Sequence, residues 1–494
     1  MPFSCRRGLD AVQPEAFTAP SERHANGRGG PMHTSNRNYD RTLYASEKND
    51  IDIALAGEAL ISQGLSMYNE PRYLGLVDLV RAADVRYVHL EMLFHDYEHA
   101  PTDKRYGTHM RCDPKYIADL QWMGFQLMST AHNHSIDFGE GGVLKTIEHL
   151  NRHGVVHAGM GRNLAEARAP AYLETAKGRV ALLSGTTSLF PWGRAGDQRR
   201  DMIGRPGANY LRHYMEFTVD KATFEQLRRI GAAFGWTHEP GAHRPMGHAS
   251  PSDTGTTLHL TGFDNCAHKY LKVILGDKIE RRWYPYQPDL DGMLERIRDA
   301  RRMAQWVVVA MHNQDMPGDE PPEHAVTMYH AMIDAGADIL VGTGPHQDRG
   351  IEIYKGRPIF YGLGDFILQN DTVELTPQDQ YDYWDLGWNA TPADFYDLRA
   401  GYQGEGIGTP TKGQSVTPHN WQSGMHRVTF EGGKLKEIRI HPVDVGYGKP
   451  RWQQGRPMLA EGEIAQEILE RYQRLSKPFG TQVAIEGSVG IVRL

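Results

Sequence analysis

Between Ser129 and Gly142 the chain reads STAHNHSIDFGEGG, directly after the apolar run GFQLM. Two imidazoles, His132 and His134, flank the amide of Asn133, and the carboxylate of Asp137 follows three residues later. Imidazole and carboxylate this close supply metal ligands or an acid/base pair. Similar groups follow other apolar runs: IDIALAG leads to Glu58, RYVHL to Glu91, VVVAM to His312 and Asn313, DILVGTGP to His346, and YGLGD to Asp365. Each alone has a plain explanation as a helix cap or a loop anchor. Recurrence over several segments points instead to one shared centre. Imidazole nitrogen with carboxylate and amide oxygen, and no thiolate, suits Zn, Mn, Fe or Ni, or Ca where oxygen dominates.

The elements that must position these groups are short apolar runs alternating with helical periodicity. Strands are expected at 51–57, 86–91, 125–131, 179–185, 306–311 and 338–344. EGGVLKTIEHLNRHG and PEHAVTMYHAMIDAG read as helices ending at glycine. This alternation predicts an α/β fold. In such folds ligands collect outside the carboxyl ends of the strands, where the candidate residues fall. Two later hairpins, IEIYKGRPIFYGLGDF and HRVTFEGGKLKEIRI, predict a second, antiparallel-leaning sheet. EGEIAQEILERYQRLSKPFG predicts an amphipathic helix that stops before Pro478. Residues 232–268 and 371–424 read as long loop insertions, the second rich in aromatics and suited to a lid or an interface.

At 494 residues the chain is long enough for one large α/β domain with insertions, expected over 50–494 after a flexible arm at 1–49. Its net charge of -7 argues against phosphate-contact binding of nucleic acid. Cys5, Cys112 and Cys266 show no C-x-x-C spacing, which excludes a thiolate zinc motif. No apolar run reaches the ~20 residues of a membrane span, and no apolar segment follows the N-terminal arginine pair. A cytoplasmic location is the expectation, and homo-oligomerisation stays open.

The ordered series of Gly-Glu after the first strand, HLE, AHNHSIDFGEGG, HAGMGRNLAEARAPAYLE, MHNQD, GTGPHQDRGIEIYKGRPIFYGLGDFIL and LSKPFGT resembles bacterial poly-γ-glutamate capsule-synthesis (CapA-like) proteins, from about Ile51 to Gly480. That family is similar to calcineurin-like metallophosphoesterases. The resemblance implies a four-layer α/β/β/α sandwich with metal at the strand carboxyl ends. It also implies metal ligands at Glu58, Glu91, Asn133, His312 and His346, with His134 acting on the reacting group. Glu58 stands in place of the family's Asp, and His89 and His132 replace Asn. Thr343 stands where an earlier His is usual, so one metal, or a strong and a weak position, is expected. His132 serves as an extra ligand or second acid/base, and Asp137 ties down the loop.

The function expected is hydrolysis by metal-activated water, at an amide or phosphoester bond of a carboxylate-bearing small molecule or peptide, with one or two divalent ions (Zn, Mn or Fe ahead of Ca). Two alternatives stand beside it: a metal-dependent epimerase or lyase moving a proton α to a carboxylate, and a non-catalytic capsule or polymer-assembly factor. Arg205, Arg212, Asn313, Arg349 and Trp384 are the candidate substrate contacts.

Overall fold

The computed structural model describes residues 48–104, 107–237, 253–265, 268–314, 318–401 and 416–494. The arm at 1–49 lies outside the described residues apart from its last two positions, as do Cys5, Cys266, 238–252 and 402–415. From Lys48 onward the described chain belongs to one compact unit of mixed α/β structure.

Two sheets dominate. In the ten-stranded sheet Ile51–Leu60 lies between parallel Val85–Leu90 and antiparallel Gln422–Glu431, while Asp365–Leu368 pairs parallel with its carboxyl end. In the six-stranded sheet Trp306–His312 lies between two parallel neighbours, Gly178–Thr186 and Ile339–Thr343. Alternation along the strands explains why these runs are apolar on both faces. Ile53, Leu55, Tyr87 and Leu127 share one core cluster with Leu182, Val308, Ala310 and Val341 of the other sheet. Their neighbours Ala54, Ala56, Val88 and Met128 pack instead with Tyr73, Leu76, Val80, Leu120 and Met123, from the helices Pro71–Arg81 and Ile117–Met123. In the six-stranded sheet Leu183, Val307, Val309 and Leu340 meet Met293 and Ile297 of Gln287–Met303 and Met328 and Met332 of Glu323–Asp334.

All six expected strands form, as do both helices. The closing helix spans Gly462–Ser476 and is followed by a one-turn 3-10 helix, Lys477–Phe479, that carries Pro478. The hairpins form too, but not in a shared second sheet. Ile351–Tyr354 and Arg357–Phe360 extend the six-stranded sheet, whereas Gln422–Glu431 and Lys434–Asp444 extend the ten-stranded one. A turn dictates which strands are neighbours and leaves open which edge they join.

The expected loops also differ. Within 232–268 the strand Thr257–Asn265 belongs to a separate four-stranded sheet with His268–Leu275, His213–Val219 and Glu280–Pro285. Within 371–424 lie the helices Gln378–Tyr383 and Pro392–Ala400, the second opened by a Thr391/Asp394 capping box. Tyr381, Phe395 and Tyr396 are buried in the main core, so part of the aromatic density is packing, while Tyr383 and Trp388 stay exposed. Among the described residues no helix is long and apolar enough to cross a membrane.

The inner core also holds titratable rings. His426 lies against Phe360 and Tyr472, and burial, with His441 alongside, pushes its pKa down to about 3. Burial takes His441 down to about 4, with Arg427 adding to the effect. Each folded pKa lies below the ordinary value of 6.5, so between the two the unfolded chain binds more protons. Stability from these rings is complete above pH 6.5 and is lost as pH falls through that window. Thermal melts of the chelated protein are therefore expected to shift downward between pH 7 and pH 5, and less so in His426→Phe.

Candidate metal centre

The centre forms where the carboxyl ends of the two large sheets meet. Register brings Glu58 opposite Asp365 on one side and His89 on the other, with a bulge in the first strand at this point. Gly57 makes the bulge feasible, because a Cβ there would lie 1.9 Å from the Gly364 carbonyl oxygen. From the second sheet comes His312, in register with Thr343 and Thr186. His346 follows on a tight turn with φ 55°, an unfavourable backbone for a residue bearing a Cβ.

Glu91 occupies the middle. Its Oε1 lies 3.7 Å from His134 Nε2, 3.8 Å from His312 Nε2 and 3.9 Å from His346 Nε2. Both carboxylate oxygens are buried and neither makes a hydrogen bond among the described residues. Burial drives the Glu91 pKa well above the carboxylate range, with the charges of Glu58 and Asp365 adding to it against the pull of His346. A carboxylate so placed has surrendered its hydration without a replacement, which is costly in a protein interior unless a cation is bound.

Two ligand groups share this residue. Glu58, Glu91 and His346 bring donor atoms within 4.8 Å of one another, and so do His89, Glu91 and His312. The first group is oxygen-rich: His346 Nδ1 stands 2.7 Å from Glu58 Oε2 and 2.9 Å from Asp365 Oδ1. The Gly344 backbone N–H donates to Glu58 Oε1. Burial alone would lift Glu58, but His346 holds its carboxyl below the usual range. Burial lifts Asp365 to about 7. Burial would depress His346, yet Asp365, Glu58 and Glu91 keep it well above an ordinary imidazole.

The second group is nitrogen-rich. His89 hydrogen-bonds Ser129 Oγ through Nδ1 at 2.7 Å and stacks on His312 with ring centroids 4.9 Å apart. His312 is fixed by Thr343 Oγ1 at 3.2 Å from Nδ1, while Asn133 Oδ1 lies 2.9 Å from Nε2. His132 stands edge-on to both rings and is fully buried. Burial pushes His89 to about 4 and His132 and His312 well below the ordinary value, keeping all three rings neutral and fit to ligate.

His134 sits apart from these groups in its bonding. Its Nδ1 lies 2.6 Å from Asp137 Oδ2 and 2.8 Å from Lys104 Nζ, leaving Nε2 facing Glu91. Asp137 thus does more than tie down its loop: it orients the imidazole.

Glu58, Glu91, Asn133, His132, His134, His312 and His346 are therefore brought together, with His89 and Asp365 joining them. His89 was legible only as a substituted Asn, and Asp365 only as one more strand-end carboxylate. Lys104, in APTDKRY, carries no sequence signal at all. Of the remaining candidates, Asn313 borders the centre, its backbone N–H donating to the Thr343 carbonyl, and the others make contacts within the protein. Arg212 is spent on Asp289, to which Arg168 and Arg194 also bond, and Arg205 donates to the Arg194 carbonyl. Trp384 packs at the edge of the main core. Asn313 is buried with its amide 3.3 Å from His324 Nε2, and Arg349 is buried with Nε donating to the Gly318 carbonyl.

Residues 52–370 match the family described as bacterial capsule synthesis protein PGA_cap. The uncharacterized protein y4uA of Sinorhizobium fredii is 35% identical over 448 residues, covering 89% of this chain and 92% of the relative. PGA biosynthesis protein CapA of Bacillus subtilis is 33% identical over 114 residues, 23% of this chain and 29% of the relative. Capsule biosynthesis protein CapA of Bacillus anthracis is 41% identical over 82 residues, 16% of this chain and 20% of the relative.

Proposed function

The chain belongs to the bacterial capsule synthesis protein family, and on that premise we propose that it is a metal-dependent hydrolase of the four-layer α/β/β/α, calcineurin-like type. Its substrate in this reading is a carboxylate-bearing small molecule or peptide, cleaved at an amide or phosphoester bond. The observation that carries the reading is Glu91, a buried carboxylate with no hydrogen-bond partner among the described residues and three imidazoles within 4 Å. Helix-backed outer faces and a shared inner core support the layered type.

Glu58, Asp365 and His346 would hold one divalent ion, and His89 and His312 a second, with Glu91 common to both. The chemistry a divalent ion supplies there is Lewis acidity, which polarises the scissile bond and acidifies water. His134 presents Nε2 to the reacting group and moves a proton there, oriented through Nδ1 by Asp137. The buried rings of His89, His132 and His312 keep bulk water from the centre. Loss of the imidazole at Thr343 is offset by Asp365 on the oxygen-rich side, which supports two positions rather than one.

Metal analysis of the purified chain, with thermal melts before and after chelation, tests this reading. Bound metal near stoichiometry and a lower melting temperature after chelation are expected. Metal-free protein with an unchanged melt would leave the assembly-factor reading in its place. With glutamyl oligopeptides and p-nitrophenyl phosphate as probes, His134→Ala is expected to lose ~10²–10⁴-fold in turnover while retaining its metal.

A further inference from the structure

We propose a further divalent-cation site, sharing no residue with the Glu91 centre, formed by Asp96, Glu98 and His149 and joining the loop after Leu93–Phe94 to the helix Gly139–Arg152. One imidazole nitrogen and two carboxylate oxygens, with water completing the shell, suit a zinc-like ion.

The three side chains come from two elements. Asp96 and Glu98 flank Tyr97, which has φ 59° and carries the Arg111 guanidinium 4.1 Å above its ring. This turn closes on itself, because the Asp96 N–H donates to Glu98 Oε2 at 2.6 Å. His149 projects from the last turn of the helix. One ligand atom from each of the three lies within 4.8 Å of the other two.

His149 makes this more than a patch of surface acids. Its side chain is 7% exposed, yet among the described residues the ring makes no hydrogen bond and no ion pair, and a ring nitrogen is aimed at both carboxylates. A polar group taken out of water without a partner costs free energy, and a cation shared with the two acids restores it. Burial, with Arg152 next in weight, holds the His149 pKa below its ordinary value, so the ring is neutral and keeps a lone pair to give. Two cations already lean on the acids. Arg111 bonds Asp96 Oδ1 at 3.2 Å and leaves the other oxygen to an ion, while Lys145 Nζ stands 3.9 Å from Glu98 Oε1 but 3.1 Å from Glu148 Oε2.

The placement has a consequence for the rest of the molecule. The loop bearing Asp96 and Glu98 runs on to Thr102, whose N–H donates to the Asp137 carbonyl, and to Lys104, which bonds the Asp137 carboxylate. The helix bearing His149 starts two residues after Asp137. An ion between them fastens together both segments that hold Asp137.

Equilibrium dialysis of the full chain against Zn(II), with the bound ions counted, tests the site. The wild type is expected to bind one ion more than His149→Ala or Glu98→Gln, the affinity for that ion falling at least ~10-fold in each variant. Lys145→Met, which removes a competing positive charge, is expected to tighten it ~5-fold. Glu98 lies at the surface, so Glu98→Gln decides if His149→Ala does not fold. Equal counts and affinities in the wild type and in a folded variant of either kind overturn the site. The readout is a difference between chains and stands whatever number of ions the Glu91 centre holds. Repeated in the Glu91→Gln background, survival of the His149-dependent ion supports a separate site, and its disappearance overturns one.

Discussion

Glu91→Gln is expected to empty the centre of metal and, at the same time, to make the metal-free chain more stable at pH 8. Both effects come from the same position. Because Glu91 stands in both ligand groups, its loss removes a donor from each. In the metal-free chain the Glu91 pKa lies well above its ordinary value, so the folded state favours the neutral acid. Stability is therefore lost as pH rises above the unfolded carboxylate range, and the amide, which never ionises, does not incur that loss. The gain at pH 8 is ~1–3 kcal/mol, the scale of one uncompensated buried polar group. With metal present the order reverses, because only the wild type gains binding free energy. Turnover should fall by ~10³-fold or more, as several kcal/mol of transition-state stabilisation disappear. Melts with and without chelator, alongside metal content, measure all of this. A variant that keeps its full metal complement would remove Glu91 from the centre of the mechanism.

Arg471→Ala should be the most destabilising single change outside the centre. Its guanidinium, on the closing helix, reaches Asp348 Oδ2 at 2.7 Å and the side chain and carbonyl of Gln422 at 2.8 and 3.1 Å. Tyr472 donates to the other Asp348 oxygen. Burial pushes Asp348 up, opposed by Arg471, so removing the cation leaves an uncompensated acid. A cost of ~3–5 kcal/mol is expected. Combining Arg471→Met with Asp348→Asn should recover much of it, because no charge is then stranded. Asp348 lies two residues beyond His346, and Ser423, next to Gln422, donates to the Asp365 carbonyl at 2.7 Å. Metal content should accordingly fall with stability in the single variant. Denaturant unfolding and metal analysis check both, and a wild-type midpoint would refute the buttress.

The parts of the centre that could be read from sequence are those whose strands are buried on both faces. A continuous apolar run such as WVVVAM cannot be a surface strand, so the polar residue that ends it, His312, stands out. Lys104 lies in a loop among polar neighbours, and only the fold shows that the loop turns back onto Asp137. Arg212 misled for the opposite reason. A guanidinium seeks a carboxylate whether that belongs to substrate or protein, and the carboxylate here is Asp289, 77 residues away in the chain. The hairpins show the same limit at the level of the sheet, where local turns set pairing and distant edges set membership.

The first strand hydrogen-bonds to Val85–Leu90, Asp365–Leu368 and Gln422–Glu431. Glu58 is therefore set in place by partners more than 300 residues downstream as well as by near ones. During synthesis from the amino terminus, the chain emerges with this strand open on one side until Gln422–Glu431 has been made. The candidate metal centre is consequently assembled only after Gln422–Glu431 has been made, and a chain stopped at residue 370, where the family match ends, exposes a bare strand edge in place of Gln422–Glu431.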